Sequence, residues 1–124
     1  MGKGNALAAA ATLGIVALFV VPGVAAAGNP GVCKSNKMCI YNDNDFSGLI
    51  DIPRDPGGGI RTVSSKDNDK MDSWENRTSS RGSWYYDANG GGDCVRMTEN
   101  SEDNNINVFD SDELTSWRTD RGCS

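Results

Sequence analysis

Short apolar stretches alternate with polar, turn-rich segments along most of the chain after residue 37. The intervening segments are rich in Gly, Pro, Asn, Asp and Ser, which favour turns. No helical period is sustained, and many short strands of this kind are typical of an all-β sandwich or barrel. The apolar stretches predict strands at Met38–Tyr41, Leu49–Ile52, Ile60–Val63, Ser83–Tyr86, Cys94–Met97 and Ile106–Phe109.

The segment from Cys39 to Gly48 predicts a strand that folds back on itself. Tyr41 and Phe46 are five residues apart, so in one straight strand their rings would point to opposite faces. The four residues between them are all Asn or Asp, which favour turns. We therefore expect the chain to fold over so that both rings pack on one side. Gly48 then occupies a position where a side chain would be costly.

A second, less regular copy of this unit follows in the chain. The first part of the unit recurs at an offset of 45 residues and the last part at an offset of 43. Two such units predict paired four-stranded motifs with a shared core, one at about 33–78 and one at about 79–124. The aligned positions are Tyr41 with Tyr86, Leu49–Ile52 with Cys94–Met97, and Trp74 with Trp117, the two tryptophans being expected in the core.

The first 27 residues have the features of a secretory signal peptide. Lys3 precedes an apolar run that ends at Pro22, and three alanines then form a small-residue cleavage site. We expect cleavage after Ala27, which leaves one domain of residues 28–124, secreted and without a membrane anchor. The alternative is that the apolar run stays attached as an anchor.

The four cysteines all lie in the predicted exported part. An even number in a short secreted chain predicts two disulfides, for which three connectivities are possible. A domain this small benefits from such cross-links. A zinc site is disfavoured, because the chain has no histidine and no zinc-knuckle spacing. We expect the pairs Cys33–Cys39 and Cys94–Cys123.

Charge and composition disfavour two broad functions. The net charge is -5, and an acidic domain is a poor candidate for binding nucleic-acid phosphates. Without histidine the chain cannot build a Ser-His-Asp or Cys-His arrangement. Its acidic residues lie in turn segments rather than in a pattern typical of a buried catalytic pair. We therefore predict that the protein is not an enzyme and has no nucleic-acid partner; we also expect a monomer.

Three motifs resemble those of a known superfamily. Tyr41–Gly48 resembles the Greek-key signature of the βγ-crystallins: aromatic, four residues, aromatic, any residue, Gly. Asn68–Ser73 and Ser111–Ser116 resemble the calcium loops of the same superfamily. With the secretory signal and the cysteine pattern, the chain resembles the small secreted peptidase inhibitors of actinomycetes, of which the metalloproteinase inhibitor is the type. The resemblance implies a βγ-crystallin-like sandwich of two Greek-key motifs, stapled by two disulfides.

The chain departs from the superfamily pattern at three positions. Gly91 stands in the second unit where Phe46 stands in the first. Asp72 replaces the hydroxyl residue expected in the first calcium loop, and Ser111 replaces the Asn or Asp expected in the second. The departures put the second Greek key and the calcium loops in doubt.

The resemblance implies an inhibitory segment formed by Cys94, Val95 and Arg96. In the related inhibitor, the bond presented to the peptidase joins a cysteine and a valine and is followed by arginine. Thermolysin-type endopeptidases favour an apolar residue after the cleaved bond, and a disulfide at Cys94 would limit the entropy lost on docking. The leading hypothesis is a secreted inhibitor of an extracellular peptidase, expected to be a metalloendopeptidase. The alternative is a core strand with a structural cysteine.

The same resemblance implies a Ca²⁺ site, although an inhibitor of this type requires no cofactor. Carboxylates of Asp69 and Asp112 would bind the ion, with Asp72 and Thr115 at the hydroxyl positions. The alternative is that both loops fold without metal. A second hypothesis is therefore an extracellular calcium-binding or structural module without inhibitory activity. A third, weaker one is a carbohydrate-binding strip at Trp84 and Tyr85.

Two serines close the calcium-loop motifs, Ser73 in the first and Ser116 in the second. Serine hydroxyls readily bond to nearby backbone. We expect these two side chains to close their loops in that way rather than to bind metal.

Overall fold

The computed structural model describes residues 28–124, so the signal-peptide prediction for residues 1–27 lies outside the described residues. None of the helical segments in residues 28–124 could span a membrane. Two short 3-10 turns occur, at Asn44–Phe46 and Ala88–Gly90. The strands are β1 (Met38–Asp43), β2 (Ser47–Arg54), β3 (Arg61–Thr62), β4 (Ser73–Asn76), β5 (Gly82–Tyr85), β6 (Cys94–Met97), β7 (Ser101–Asp103) and β8 (Ser116–Arg118).

The strands form two four-stranded antiparallel sheets. The first has the order β2-β1-β4-β7 and the second the order β3-β8-β5-β6. Each half of the chain therefore gives its third strand to the sheet of the other half: β7 pairs with β4, and β3 pairs with β8. The predicted all-β sandwich of two Greek-key motifs is confirmed. Both predicted disulfides, Cys33–Cys39 and Cys94–Cys123, are present.

The main core lies between the two sheets. Trp74 and Trp117 are 7% and 0% exposed, which confirms their expected place in the core. A smaller cluster contains Tyr41, Phe46 and the Cys33–Cys39 disulfide. It lies on the other face of the first sheet, because Ile40 in the main core and Tyr41 alternate along β1. The rings of Tyr41 and Phe46 meet edge to face at 5.8 Å, as the predicted fold-over requires.

The two halves align at the hairpins with an offset of 44 residues, not 45. Asp45 and Asn89 both have φ of 57°, and the next residues, Phe46 and Gly90, also have positive φ. The expected equivalence of Phe46 with Gly91 was therefore wrong, and Gly90 takes that position. The predicted match of Tyr41 with Tyr86 was also wrong, because the equivalent tyrosine is Tyr85. Tyr41 lies opposite Ser73 of β4, and Tyr85 lies opposite Ser116 of β8.

Two further predictions were wrong. Residues 106–109 form no strand; the chain turns there, and the third strand of the second half is the polar edge strand β7. Trp84 and Tyr85 are 0% and 9% exposed, so they form no exposed strip for a carbohydrate. In the second sheet Trp84 points into the core, where its ring stacks on Tyr86.

A buried serine hydroxyl closes the first hairpin of each half. Ser73 and Ser116 are both 0% exposed, and each hydroxyl accepts a hydrogen bond from one hairpin residue and donates to another. The expected bonds from these serines to backbone are present, and they close the hairpins rather than the serines' own loops. The bonds join Ser73 to Phe46 N (3.1 Å) and Asp43 O (2.6 Å), and Ser116 to Gly90 N (2.9 Å) and Asp87 O (2.6 Å).

Removing either hydroxyl should destabilise the whole domain. Ser73→Ala or Ser116→Ala leaves a backbone amide without its acceptor, which costs about 1–3 kcal/mol. The melting temperature of the oxidised protein should fall by roughly 4–8 °C per kcal/mol. The exposed Ser65→Ala is the control and should change stability by less than about 0.5 kcal/mol. A fall no larger than that of the control would contradict the prediction.

Candidate functional site

The predicted inhibitory segment lies in β6, at the edge of the second sheet. β6 pairs with β5 on one side, and no described strand pairs with its other side. Tyr86 N donates to Asp93 O at 3.0 Å, which places Asp93 in a hydrogen-bonded pair. Such pairs alternate along an antiparallel ladder, so Val95 is also in one. The backbone NH and C=O groups of Cys94 and Arg96 therefore point towards the open edge.

The side chains of the segment point to both faces of the sheet. Val95 is half-buried and packs against the main core. Arg96 is exposed on the opposite face, close to the C-terminal segment: a Cβ built on Gly122 would lie 3.1 Å from Arg96 Nε. The half-buried Cys94 is joined there to Cys123. The segment is therefore a fixed edge strand, and its exposed features are backbone groups and the Arg96 side chain.

The two loops predicted to bind calcium lie side by side. Asp69 N donates to Leu114 O at 2.9 Å, and Asp112 N donates to Met71 O at 3.1 Å, so each loop is bonded to the other in the same way. Both aspartates have positive φ, 56° and 62°. The hydroxyl of Ser111 donates to a carboxylate oxygen of Asp72. The fold thus brings together loops that are 43 residues apart in the sequence.

The carboxylates of these loops interact without forming a metal cluster. Asp112 is exposed, but partial loss of solvent around its carboxylate raises its pKa, and the nearby carboxylates of Asp72 and Asp69 raise that pKa further. Thr115 is the fourth predicted ligand residue, and its backbone N donates to Tyr85 O at 2.9 Å. Within residues 28–124, no group of three or more His, Cys, Asp or Glu side chains converges so that it could hold a metal ion. The four predicted ligand residues are therefore neighbours but not a preassembled site.

A feature that the sequence interpretation missed lies beside these loops. Val108 and Phe109 are 82% and 84% exposed at the tip of a turn. They continue an apolar run that starts at Ile106, so the sequence predicts a strand where the structure has a turn. The signal that could have identified the turn is the spacing of Asn107 and Asp110, since Asn side chains bond to backbone two residues on. Asn107 Oδ1 accepts from Phe109 N at 2.9 Å.

Solved structures similar to this chain are βγ-crystallin domains. A domain from Flavobacterium johnsoniae has a TM-score of 0.54 and 21% identity, with 65% of this chain and 90% of that chain covered. A domain from Clostridium beijerinckii has a TM-score of 0.54 and 20% identity, with coverage of 66% and 94%. A structure concerned with the evolution of the eye-lens βγ-crystallin fold has a TM-score of 0.59 and 18% identity, with coverage of 73% and 91%. These similarities show the fold.

Sequence comparison identifies a family as well. No curated protein matches the chain. The profile of peptidase inhibitor family I36 matches residues 26–97, which is more than half of the 124 residues. The match extends from before the first disulfide to the end of β6 and includes the Cys94–Arg96 segment. The chain therefore belongs to peptidase inhibitor family I36.

Proposed function

We propose that the protein is a secreted inhibitor of an extracellular peptidase, that the peptidase is a metalloendopeptidase, and that the inhibitory segment is Cys94, Val95 and Arg96. Membership of the inhibitor family supports the inhibitory role and a peptidase partner. Two disulfides are typical of proteins exported to an oxidising compartment. The observation that carries the choice of segment is its place on the open edge of a sheet, fixed by a disulfide.

An extended edge strand is a suitable shape for a peptidase cleft. A peptide that adds a strand to a partner binds through its main-chain groups, and those of Cys94 and Arg96 point outwards. The carbonyl of Cys94 belongs to the peptide bond that joins it to Val95, so this bond faces the partner. The Val95 side chain packs against the core. We therefore expect the peptidase to contact mainly the backbone of the segment, with side chains contributing less.

Rigidity would distinguish this segment from an ordinary substrate. β6 pairs with β5 over all four of its residues, and Cys94 is covalently joined to Cys123. Little conformational entropy remains to be lost when the segment binds, which favours tight association. If the peptidase attacked the Cys94–Val95 peptide bond, the same contacts would hold the two residues together.

The alternative function is a calcium-binding or structural module without inhibitory activity. The observation that favours it is the place of Asp112 beside the carboxylates of Asp72 and Asp69, which raise its pKa and whose charge a bound cation would offset. Hard oxygen ligands of this kind suit Ca²⁺. Against it stands the lack of a converging cluster within residues 28–124. We therefore place this function second.

Titration of the oxidised protein against a thermolysin-like zinc endopeptidase tests the inhibitory segment. The wild type should inhibit stoichiometrically. Arg96→Pro should weaken inhibition by about 100-fold, because it removes an outward NH that the peptidase would bind. That NH is not used by the β5 ladder, and proline is tolerated at such edge positions, so the melting temperature should change little. Arg96→Ala keeps the NH and is the control; equal inhibition by all three proteins would place the contact elsewhere.

Replacing one carboxylate tests the alternative. The raised pKa of Asp112 means that the fold disfavours its ionised form, so it lowers stability above that pKa and has no effect below its unfolded value. Asp112→Asn should raise stability at pH 7 by no more than about 0.5 kcal/mol, since the group is exposed and screened, and the gain should vanish in acid. Glu113→Gln is the charge-matched control. A calcium-dependent rise in melting temperature for the wild type but not for Asp112→Asn would favour the calcium module.

A further inference from the structure

Glu75 is a buried carboxylate with an unused oxygen. It lies in the middle of β4 and is 0% exposed. Its Oε1 accepts hydrogen bonds from Tyr41 OH at 2.8 Å and from Asn29 N at 2.7 Å. Its Oε2 is buried and has no hydrogen-bond partner among the described residues. None of the ion pairs in residues 28–124 includes Glu75.

A carboxylate in this situation needs a cation. Removing an ionised group from water without pairing it is strongly unfavourable. Arg77 follows β4 directly, and its guanidinium donates to the carbonyl of Cys33 instead of to Glu75. The hydroxyl of Tyr41 is a neutral donor. Burial is the main cause that raises the pKa of Tyr41, and the hydrogen bond to Glu75 is the second. The described residues thus supply neutral donors to one oxygen and no cation to the other.

The backbone of Gly28 lies against the unused oxygen. A Cβ built on Gly28 would stand 1.9 Å from Glu75 Oε2 and 2.1 Å from its Cδ, so only glycine fits. Because a C–C bond is about 1.5 Å, the Gly28 Cα lies within about 3.4 Å of Oε2, and its nitrogen, one bond from Cα, lies within about 5 Å. Gly28 also has a φ of 68°, which suits glycine. If the signal peptide is cleaved after Ala27 as predicted, Gly28 becomes the N-terminal residue.

We propose that the α-ammonium of Gly28, created by removal of the signal peptide, forms a buried ion pair with Glu75. Hydrolysis of the Ala27–Gly28 bond consumes one water and leaves a carboxylate on Ala27 and an amine on Gly28. Near neutral pH that amine takes up a proton and becomes a cation. Before hydrolysis the same nitrogen is an uncharged amide. Processing therefore supplies the missing cation, independently of the inhibitory role.

The ion pair would fix the segment that covers the outer face of the first sheet. Asn29, next to Gly28, donates from its side chain to Phe46 O at 3.2 Å as well as from its backbone to Glu75. The same segment leads into the Cys33–Cys39 disulfide. This segment thus covers the smaller core cluster around Tyr41, and its position would depend on the ion pair at the N-terminus.

A protein that begins at Gly28 and one that keeps Ala27 in front of it test this proposal. The added residue should lower the melting temperature by about 5 °C or more, because it moves the positive charge from Gly28 to Ala27 and crowds the buried site. In a Glu75→Gln background the extension should make no such difference. Glu102→Gln, which removes the carboxylate opposite Glu75 on β7, is the control and should leave the effect of the extension intact.

Two results would overturn the ion pair. One is equal stability of the two wild-type forms; the other is an equal loss on extension in the Glu75→Gln background, which would indicate crowding alone. If Glu75→Gln does not fold, acylation of the α-amine replaces it: the amine of the Gly28 form should react at least 10-fold more slowly than that of the extended form. Equal rates would overturn the proposal, as would an exported protein whose intact mass shows a different first residue.

A second inference comes from the turn that carries Val108 and Phe109. Asn107 O accepts from Ser111 N at 2.9 Å, and Tyr86 OH donates to Phe109 O at 3.1 Å. The turn is thus held on both sides while its two apolar side chains extend into solvent, 82% and 84% exposed. Isolated exposed apolar residues are ordinary, whereas two adjacent ones at a single tip form a small continuous apolar patch that an apolar pocket of a partner would bury.

The first half of the chain contains the same turn with polar residues. Ser64 O accepts from Asp67 N and Asn68 N, both at 3.0 Å, as Asn107 O accepts from Asp110 N and Ser111 N. The residues at its tip are Ser65 and Lys66. Because the turn forms with a serine and a lysine, the fold does not require Val108 and Phe109. Their presence in one half alone points to a partner of that half.

The surroundings define the partner's chemistry. Residues 97–117 contain six acidic and no basic side chains, so a partner with an acidic rim would be repelled. Tyr86 joins the turn to the hairpin before β6, since its backbone bonds to Asp93 and its hydroxyl to Phe109. We infer that Val108 and Phe109 occupy an apolar substrate pocket of the target peptidase, bordered by basic or neutral groups, beside the β6 contact. This inference rests on the proposed function.

Exchanging the tips of the two turns tests the second anchor. The double variant Val108→Ser with Phe109→Lys should weaken inhibition at least 10-fold without lowering the melting temperature. The matched control, Ser65→Val with Lys66→Phe, adds the same apolar residues to the other half and should inhibit like the wild type. Sedimentation of each protein shows whether the tip causes self-association.

The outcomes separate the two proposals. Wild-type inhibition that is unchanged in the double variant would overturn the anchor and leave the proposed function standing. A wild-type dimer that the double variant dissociates would also overturn the anchor, since the apolar pair would then bind another copy of the chain. A wild type that inhibits no metalloendopeptidase would overturn both.

Discussion

The fold depends on the way in which each half reverses its chain after its first strand. At each reversal two consecutive residues have positive φ, and a serine from the fourth strand of the same half bonds to the NH of the second of them and to the carbonyl two residues before the first. In the first half one of the two is Phe46, for which positive φ is unfavourable. Its ring is retained there by contact with Tyr41. In the second half Gly90 removes the strain, and the aromatic contact is lost with it.

Local patterns predicted the elements whose residues are specific to their role. The fold-over at Tyr41 and Phe46, the two disulfides and the core position of Trp117 followed from spacing, an even cysteine count and the repeat. The register of the second half could not be derived in the same way. Tyr85 and Tyr86 are adjacent and equally suited to the aromatic position, so only the strand pairing distinguishes them. The second half has one extra residue before β6, so the offset is 45 again at Leu49 and Cys94. The alignment of these two strands therefore does not reveal the offset of 44 at the hairpins.

Other features depend on tertiary structure that no local pattern contains. The edge strand β7 is polar throughout, and only its pairing with β4 makes it a strand. Residues 106–109 have the composition of a strand, yet the chain must cross between the sheets there, and two of them remain in solvent. The direction of the Val95 side chain follows from its pairing with Trp84, which the sequence alone does not indicate.

The exchange of third strands has a consequence for how far the two halves can differ. An isolated half would leave one sheet without an outer strand, so it could complete its sheets only by pairing with a second copy. In such a symmetric pair, any change at the tip of one turn is made at both. Because this chain contains both halves, Val108–Phe109 in one half and Ser65–Lys66 in the other can differ without disturbing the packing that the halves share.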